Sequence, residues 1–312
     1  MQIGIDCFQR RTTCPNCKSK DNKFFAKVFS PLFNSAFGLV ELSPEVRRNR
    51  ILLRCLRCGL LFHYMIPQKK LLLTLNEGDN LLKKWVFNNS RSVLYKRTFV
   101  EKIANGKSLL DIGCFTGDFL SHFGEKYELW GIEPSLTASN IAKKRTGNRI
   151  INSFLEDAEL PRNYFSVVTM FDVLEHLYDV KAGLLKIYNS LELNGILIIE
   201  TGNYSSLFAR LLRGNWWYFT LLEHLTFWND HSLITSLRNY GFELASFHRG
   251  FHERERVLKI FGSYMFTPLF YSIMKLDIEN FYLKQCRRFG RTGTPPAIYY
   301  PDHIFLVAKK VI

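Results

Sequence analysis

The sequence predicts an α/β fold: a parallel sheet covered by helices on both faces, preceded by a small metal-organised module. Three observations carry this reading. Two C-x-x-C pairs, Cys14-Pro-Asn-Cys17 and Cys55-Leu-Arg-Cys58, fall within the first 70 residues. From Lys107 onward, apolar strand-like runs alternate with helical patterns, the β-α-β order of a parallel sheet. The first of these runs, LLDI, leads directly into a glycine turn, Gly113-Cys-Phe-Thr-Gly117, that opens a helix.

The chain has 312 residues, 47% of them apolar, enough to fill the core of one large domain and a smaller one. Its opening stretch, MQIGIDCFQRRTTC, lacks the order of a signal peptide, and no run of about 18 apolar residues follows, so a cytoplasmic setting is expected. The seven cysteines cluster toward the N-terminus, and in a reducing compartment such pairs favour metal over disulfide. A formal charge of +14 suits an anionic partner, whether nucleic acid, an acidic membrane surface or a phosphorylated substrate, and selects none of them.

Residues 1–70 read as a zinc-ribbon-like module, with short aromatic strands and turns between the cysteine pairs. Four thiolates satisfy a tetrahedral Zn²⁺ and leave no open position, so Cys14, Cys17, Cys55 and Cys58 predict a structural site. The gap between the pairs exceeds the usual spacing of about 15–20 residues and requires an inserted loop. Two unrelated reduced pairs are the plainer alternative. A redox dithiol is disfavoured, since neither pair begins a helix in a β-α unit. Residues 71–104 carry helical spacing with a break at Gly78, predicting a connector of two helices.

Residues 105–250 supply the core: KSLLDI, ELWGI, RIIN, FSVVTMF and GILIIE as strands, then a helix around Ser232 to Tyr240 and the strand FELASFH. Residues 251–300 form a basic, aromatic insertion, and 301–312 hold a last strand, His303 to Lys309. Within the insertion, Ile260 to Met274 is too short to span a bilayer and is interrupted by Pro268, while Arg254, Arg256, Lys259 and Lys275 flank it. A helical cap over the pocket is favoured there over contact with an anionic leaflet.

The glycine turn lacks G-x-G-x-x-G and G-K-[ST], so neither a dinucleotide nor a triphosphate is indicated. Asp111 at the strand end would repel a pyrophosphate. Glu133, 20 residues past Gly113, stands where an acid can bind both ribose hydroxyls. One acid before the turn and one after the second strand fit a cationic nucleoside.

On LLDIGCFTGDFL, WGIEPS, FSVVTMFDVLEHL and LELNGILIIETGN, residues 107–309 resemble the class I S-adenosylmethionine-dependent methyltransferases. The resemblance implies a Rossmann-like seven-stranded sheet of order 3-2-1-4-5-7-6 with the seventh strand antiparallel. It implies a donor site of Asp111, Gly113, Cys114 and Gly117 at the methionine end and Glu133 with Pro134 at the ribose. Phe154, Leu155 and Glu156 would flank adenine, with Phe171 and Asp172 at the end of the fourth strand. One subgroup with an N-terminal C-x-x-C…C-x-x-C domain acts on sugars or lipid-linked glycans. GNWWYFTLLEHLTFWNDHSL is similar to that subgroup's substrate-side segment.

Methyl transfer is an in-line displacement, so the protein aligns the reactants and, for a hydroxyl acceptor, removes a proton. Candidate bases are His224 with Glu223, and Asp172, Glu175 and His176 after the fourth strand. In sugar C-methyltransferases of that subgroup a Tyr-His-Glu-His segment carries the base. Leu221, Leu222, Glu223 and His224 stand here, so Glu-His is kept and Tyr is lost, which favours oxygen over carbon. Asp172-x-x-Glu175-His176 also resembles the metal-holding E-x-x-E-H of ubiquinone-pathway O-methyltransferases, though a capping acid over a packed histidine is the favoured reading. Trp216, Trp217, Tyr218, Phe227 and Trp228 offer either a stacking wall for a sugar or the core of a lid.

The expected function is therefore O-methylation of a sugar, glycan or lipid-linked small molecule, with S-adenosylmethionine as donor and a structural zinc. Sugar C-methylation and RNA methylation are the alternatives. Zinc-bearing ribosomal RNA guanine methyltransferases carry histidine in the second knuckle, and nucleic-acid amino methyltransferases carry [D/N]-P-P-[Y/F] after the fourth strand; both are missing here, so nucleic acid is disfavoured as a partner. Peripheral contact with the inner face of a membrane remains an expectation tied to the basic insertion.

Overall fold

The structure is a computed structural model that describes residues 2–28, 33–35, 38–75, 77, 90–147, 149–250 and 302–311. The insertion at 251–300 and the break at Gly78 lie outside the described residues.

The central sheet has seven strands: β1 (Ser108–Ile112), β2 (Glu128–Ile132), β3 (Ile150–Ile151), β4 (Phe165–Phe171), β5 (Leu191–Gly202), β6 (Phe242–Gly250) and β7 (His303–Lys310). Their spatial order is 3-2-1-4-5-7-6, the order the resemblance implies. The first five run parallel, and β7 pairs antiparallel with both β5 and β6, setting His303 opposite Gly202. This reversal brings the start of β7 to the edge where the parallel strands end.

β1 and β4 are nearly continuous apolar runs because helices cover both faces of the sheet. Alternate residues divide between two cores. Leu110, Ile112, Val168, Met170, Leu197 and Ile199 pack with α4 (Val180–Ser190) and α5 (Asp230–Asn239). On the opposite face Leu109, Val167, Ile196 and Ile198 pack with α1 (Ser90–Ile103), α2 (Asp118–Ser121) and α3 (Leu136–Thr146). Helix starts follow side-chain caps: Ser135 Oγ accepts from Ala138 N–H, Asp179 from Ala182 N–H, and Asn229 with Ser232 forms a reciprocal box. Of the expected connector, Lys69–Leu75 and α1 are helical.

The N-terminal module is built on antiparallel strands Asn22–Lys27, Ile51–Cys55 and Leu61–His63. Its fourth strand comes from far downstream: Thr226–Phe227 pairs with Leu61 and Phe62. Leu52, Leu61 and Val46 of the module share one apolar cluster with Trp216, Tyr218, Phe219 and Phe227. The module therefore extends in space beyond residue 70, and the substrate-side segment is part of its sheet.

Candidate functional site

The residues that the resemblance assigns to the donor gather where β1, β2 and β4 end. Gly113 and Gly117 both have φ +73°, a left-handed conformation that side chains resist. A Cβ on Gly113 would fall 2.4 Å from Val173 Cγ2, so the turn after β4 presses directly on the turn after β1. Gly117 is the N-cap of α2 and abuts Ala142 of α3. Cys114 is buried, its sulfur against Gly131 of β2, and acts as packing beneath the turn.

Glu133 is 7% exposed, and its two carboxylate oxygens accept the N–H groups of Phe115, at 3.0 Å, and Ser135, at 2.8 Å. The acid thus ties the glycine turn to the end of β2. Pro134 follows, its carbonyl and that of Glu133 both accepting from the Asn152 amide at 2.9 Å. Asp111 is also buried and takes a 2.6 Å hydrogen bond from Thr169 Oγ1 across the β1–β4 pair. Burial pushes both carboxyls up to about 7, against the opposing pull of those hydrogen bonds. Such acids bind a cation better than an anion, because a positive ligand restores the ionised form.

The three residues expected beside adenine are placed unequally. Leu155 is buried in the main core. Glu156 Oε1 accepts the N–H groups of Tyr178 and Asp179 at 2.6 and 3.0 Å, and so braces the start of α4. Phe154 is part-exposed and packs beside Ile66, Leu72 and Leu225, with Lys69 Nζ 5.2 Å from its ring. Phe171 lies against Phe119 of α2, and Asp172 adopts φ +54°.

After β4, a single 3₁₀ turn, Leu174–His176, carries Glu175 and His176 into contact with residues 218–224. Glu175 is fully buried; Tyr218 and Thr201 donate their hydroxyls to its two oxygens, the second at 2.8 Å. Burial and the charge of Asp172 raise its carboxyl to about 7. His224 Nδ1 lies 3.0 Å from the Tyr218 carbonyl, and His176 Nδ1 lies 3.0 Å from the Glu223 carbonyl. A carbonyl can only accept, so each Nδ1 carries the proton and each Nε2 is left basic. Burial holds both imidazoles below their ordinary pKa, keeping them neutral. The two rings meet edge to face at 4.8 Å. Glu223 is buried, near enough to Arg50 for its charge to oppose the effect of burial, which holds that guanidinium down to about 9.

Asp172 does not join the metal-holding set suggested by its spacing from Glu175 and His176. Among the described residues, the convergent group is Glu175, His176 and His224, with one ligand atom of each within 4.8 Å of the others. Asp172 instead faces His303 Nε2 at 3.4 Å, while Asp302 holds Nδ1 of the same ring at 2.8 Å. The two carboxylates keep His303 protonated well above the ordinary imidazole range despite its burial. Trp216, Tyr218, Phe227 and Trp228 are all buried, and Trp216 and Phe219, like Phe219 and Phe227, meet edge to face. They are packed core rather than an open stacking wall, and Trp216, Tyr218 and Phe227 share their cluster with the N-terminal module.

The four cysteines converge. Sγ of Cys14 is 3.6 Å from that of Cys58, and Sγ of Cys17 is 3.5 Å from that of Cys55, with all four sulfurs within 4.8 Å. A tetrahedron with metal–sulfur bonds of about 2.3 Å has edges near 3.8 Å, so the set fits Zn²⁺. Both knuckles repeat one turn: Lys18 N–H bonds Cys14 O and Gly59 N–H bonds Cys55 O, each residue at positive φ. The first knuckle rests on the core through Asn16 to Ser236, at 2.6 Å, and Lys18 to Asp179, at 2.7 Å.

Sequence reasoning missed Asp302 and His303, because they reach the site only through the antiparallel pairing of β7. It also missed Lys96 and Glu200, an ion pair of 2.5 Å joining α1 to the end of β5. A lysine three residues from both Val93 and Phe99, on an otherwise apolar helix face, was the signal available.

The comparisons with known proteins agree with this architecture. A methyltransferase-domain family matches residues 89–246, just over half of the 312. The mitochondrial ubiquinone biosynthesis O-methyltransferase of Schizosaccharomyces pombe is 28% identical over 188 residues, 52% of this chain and 65% of that protein. An uncharacterised protein of Methanocaldococcus jannaschii is 26% identical over 44% of this chain and 56% of its own length. The chain thus spans less than two thirds of either curated relative. The structure of an S-adenosylmethionine-dependent methyltransferase from Archaeoglobus fulgidus is similar in fold at a TM-score of 0.50, with 18% identity, covering 73% of this chain and 97% of that one. The sheet order, the glycine turn with its paired acids and the family match converge on one conclusion: this chain belongs to the class I S-adenosylmethionine-dependent methyltransferases.

Proposed function

We propose that the protein transfers the methyl group of S-adenosylmethionine to a hydroxyl of a sugar, glycan or lipid-linked small molecule, and that Cys14, Cys17, Cys55 and Cys58 hold a structural zinc. When bound, the donor supplies an electrophilic methyl on a sulfonium sulfur. Gly113 and Gly117 would leave room for its methionine end, Glu133 would take its ribose hydroxyls, and Asp111 would stand near its cationic portion. Phe171 and Asp172 would border the same end, with Phe154 toward the base.

His224 Nε2 is the group best suited to take the acceptor's proton, because its Nδ1–H is fixed on the Tyr218 carbonyl and burial keeps the ring neutral. That imidazole, pinned through Nδ1 on a backbone carbonyl, is the observation that supports a hydroxyl acceptor. His176, fixed in the same tautomer on Glu223, would orient the neighbouring ring or receive the proton next. The name of the yeast relative, an O-methyltransferase, points the same way. Among the described residues no helix is long and apolar enough to cross a membrane. We place the protein in the cytoplasm, with the 251–300 segment as the candidate for peripheral contact.

The test uses donor with an isotopically labelled methyl and a panel of glycan and lipid-linked acceptors. His224→Ala should lower turnover about 10²–10⁴-fold while donor affinity changes less than about twofold. Undiminished turnover in that variant, or a product methylated on carbon, would overturn the assignment.

A further inference from the structure

We propose that Lys96 is an internal counter-cation of the donor cleft and sets how strongly the cleft distinguishes the sulfonium donor from its neutral thioether product. The inference rests on the donor assignment above. Lys96 stands on α1 in line with Val93 and Phe99, on the face that packs against the sheet. Its side chain is 12% exposed, its Nζ lies 2.5 Å from Glu200 Oε2, and the same ammonium sits 4.4 Å from the centre of the Phe171 ring. Asp172 and Asp111 add to the attraction, and together with Glu200 they keep the ammonium charged against the cost of burial. These carboxylates come from the ends of β5, β4 and β1, three consecutive strands of the sheet, of which β1 leads into the glycine turn.

A buried ion pair contributes little to folding compared with apolar residues of similar volume. Its location gives it another consequence. Transfer of the methyl removes one positive charge from the donor and leaves its carboxylate, amino group, ribose and base unchanged. The affinity difference between donor and product therefore reads the electrostatic potential where the sulfur sits. With Lys96 present, the carboxylates are partly neutralised and product and donor are held more equally. Without it, Glu200, Asp172 and Asp111 lose a cation they share, which should favour the sulfonium. At an effective dielectric near 20, any unit charge within about 10 Å of the reacting centre alters relative binding by about tenfold or more.

Calorimetric titrations of the full chain with S-adenosylmethionine and with S-adenosylhomocysteine test this. Both ligands are titrated at about pH 8.5, above the range near 7 in which Asp111 and Glu133 titrate. Lys96→Met should raise the ratio of product to donor dissociation constants about tenfold, Glu200→Gln should lower it by a similar factor, and Lys96→Arg should leave it unchanged. The double variant Lys96→Met/Glu200→Gln removes both charges and should return the ratio to that of the wild type, which separates charge from damage to the fold. Equal weakening of both ligands by Lys96→Met would assign Lys96 to the carboxylate they share and overturn the proposal. An unchanged ratio in both single variants would also overturn it. Failure of the wild type to bind either ligand would instead reject the donor assignment on which the proposal rests.

Discussion

Replacing Gly113 by alanine strikes the contact between the turns after β1 and β4, which border the proposed donor site. Two costs add. The backbone at φ +73° lies in the left-handed region, where a Cβ costs about 1–2 kcal/mol. The new Cβ also falls 2.4 Å from Val173 Cγ2, an overlap whose relief by local shifts costs about 1–3 kcal/mol. The sum, about 2–5 kcal/mol, should lower the melting temperature by roughly 5–15 °C in a domain of this size. Thermal melting of Gly113→Ala, Val173→Ala and the double variant separates the contributions. Truncating Val173 removes the clashing methyl and leaves only the backbone strain, so the double variant should show a favourable coupling of about 1 kcal/mol or more. A Gly113→Ala protein that melts with the wild type, or a cycle without coupling, would refute the packing of the turn after β4 against the turn after β1.

Removal of the metal should act on the acceptor side first. Chelation, or Cys55→Ser, should loosen the module whose sheet includes Thr226–Phe227, so methyl transfer should fall much further than donor affinity, and elemental analysis should find one zinc per chain. Donor binding should depend on pH. Asp111 and Glu133 titrate near 7 in the free protein, and a cationic ligand favours their ionised forms, so binding should release protons and weaken as pH falls through about 7. Titrations in two buffers of different ionisation enthalpy would show that release. Stability of the ligand-free protein should run the other way. Burial raises these carboxyls, so they bind protons in the folded chain that the unfolded chain loses above about pH 4, and their contribution declines as pH rises from about 4 to 7. Chemical denaturation across that range, compared with Asp111→Asn, reads it.

The central sheet was legible because its signals are local. Apolar runs marked β1, β4 and β5, the positive-φ glycines marked the turn, and Asp111 and Glu133 sit at fixed offsets from it. The cysteine pairs were legible for the same reason: each knuckle is a short turn that repeats the other. Features made by distant segments were not. His303 reaches Asp172 only because β7 runs antiparallel and begins where β4 and β5 end. Lys96 meets Glu200 across more than a hundred residues of sequence. The aromatic residues around Trp216 fit either a stacking wall or a lid core by composition. What decided between these was the module packed beneath them, through Leu52, Leu61 and Val46.

The central claim is that the turn after β1, tied to Glu133, receives S-adenosylmethionine. Calorimetric titration of the wild type and of Glu133→Ala with that ligand tests it most directly. The account predicts one molecule bound per chain, with affinity reduced about a hundredfold or more when Glu133 is lost, since the ribose hydroxyls would forfeit charge-assisted hydrogen bonds and the N–H groups of Phe115 and Ser135 would lose the acceptor that ties the turn to β2. A wild type that fails to bind, or a Glu133→Ala variant that binds as tightly, would contradict it.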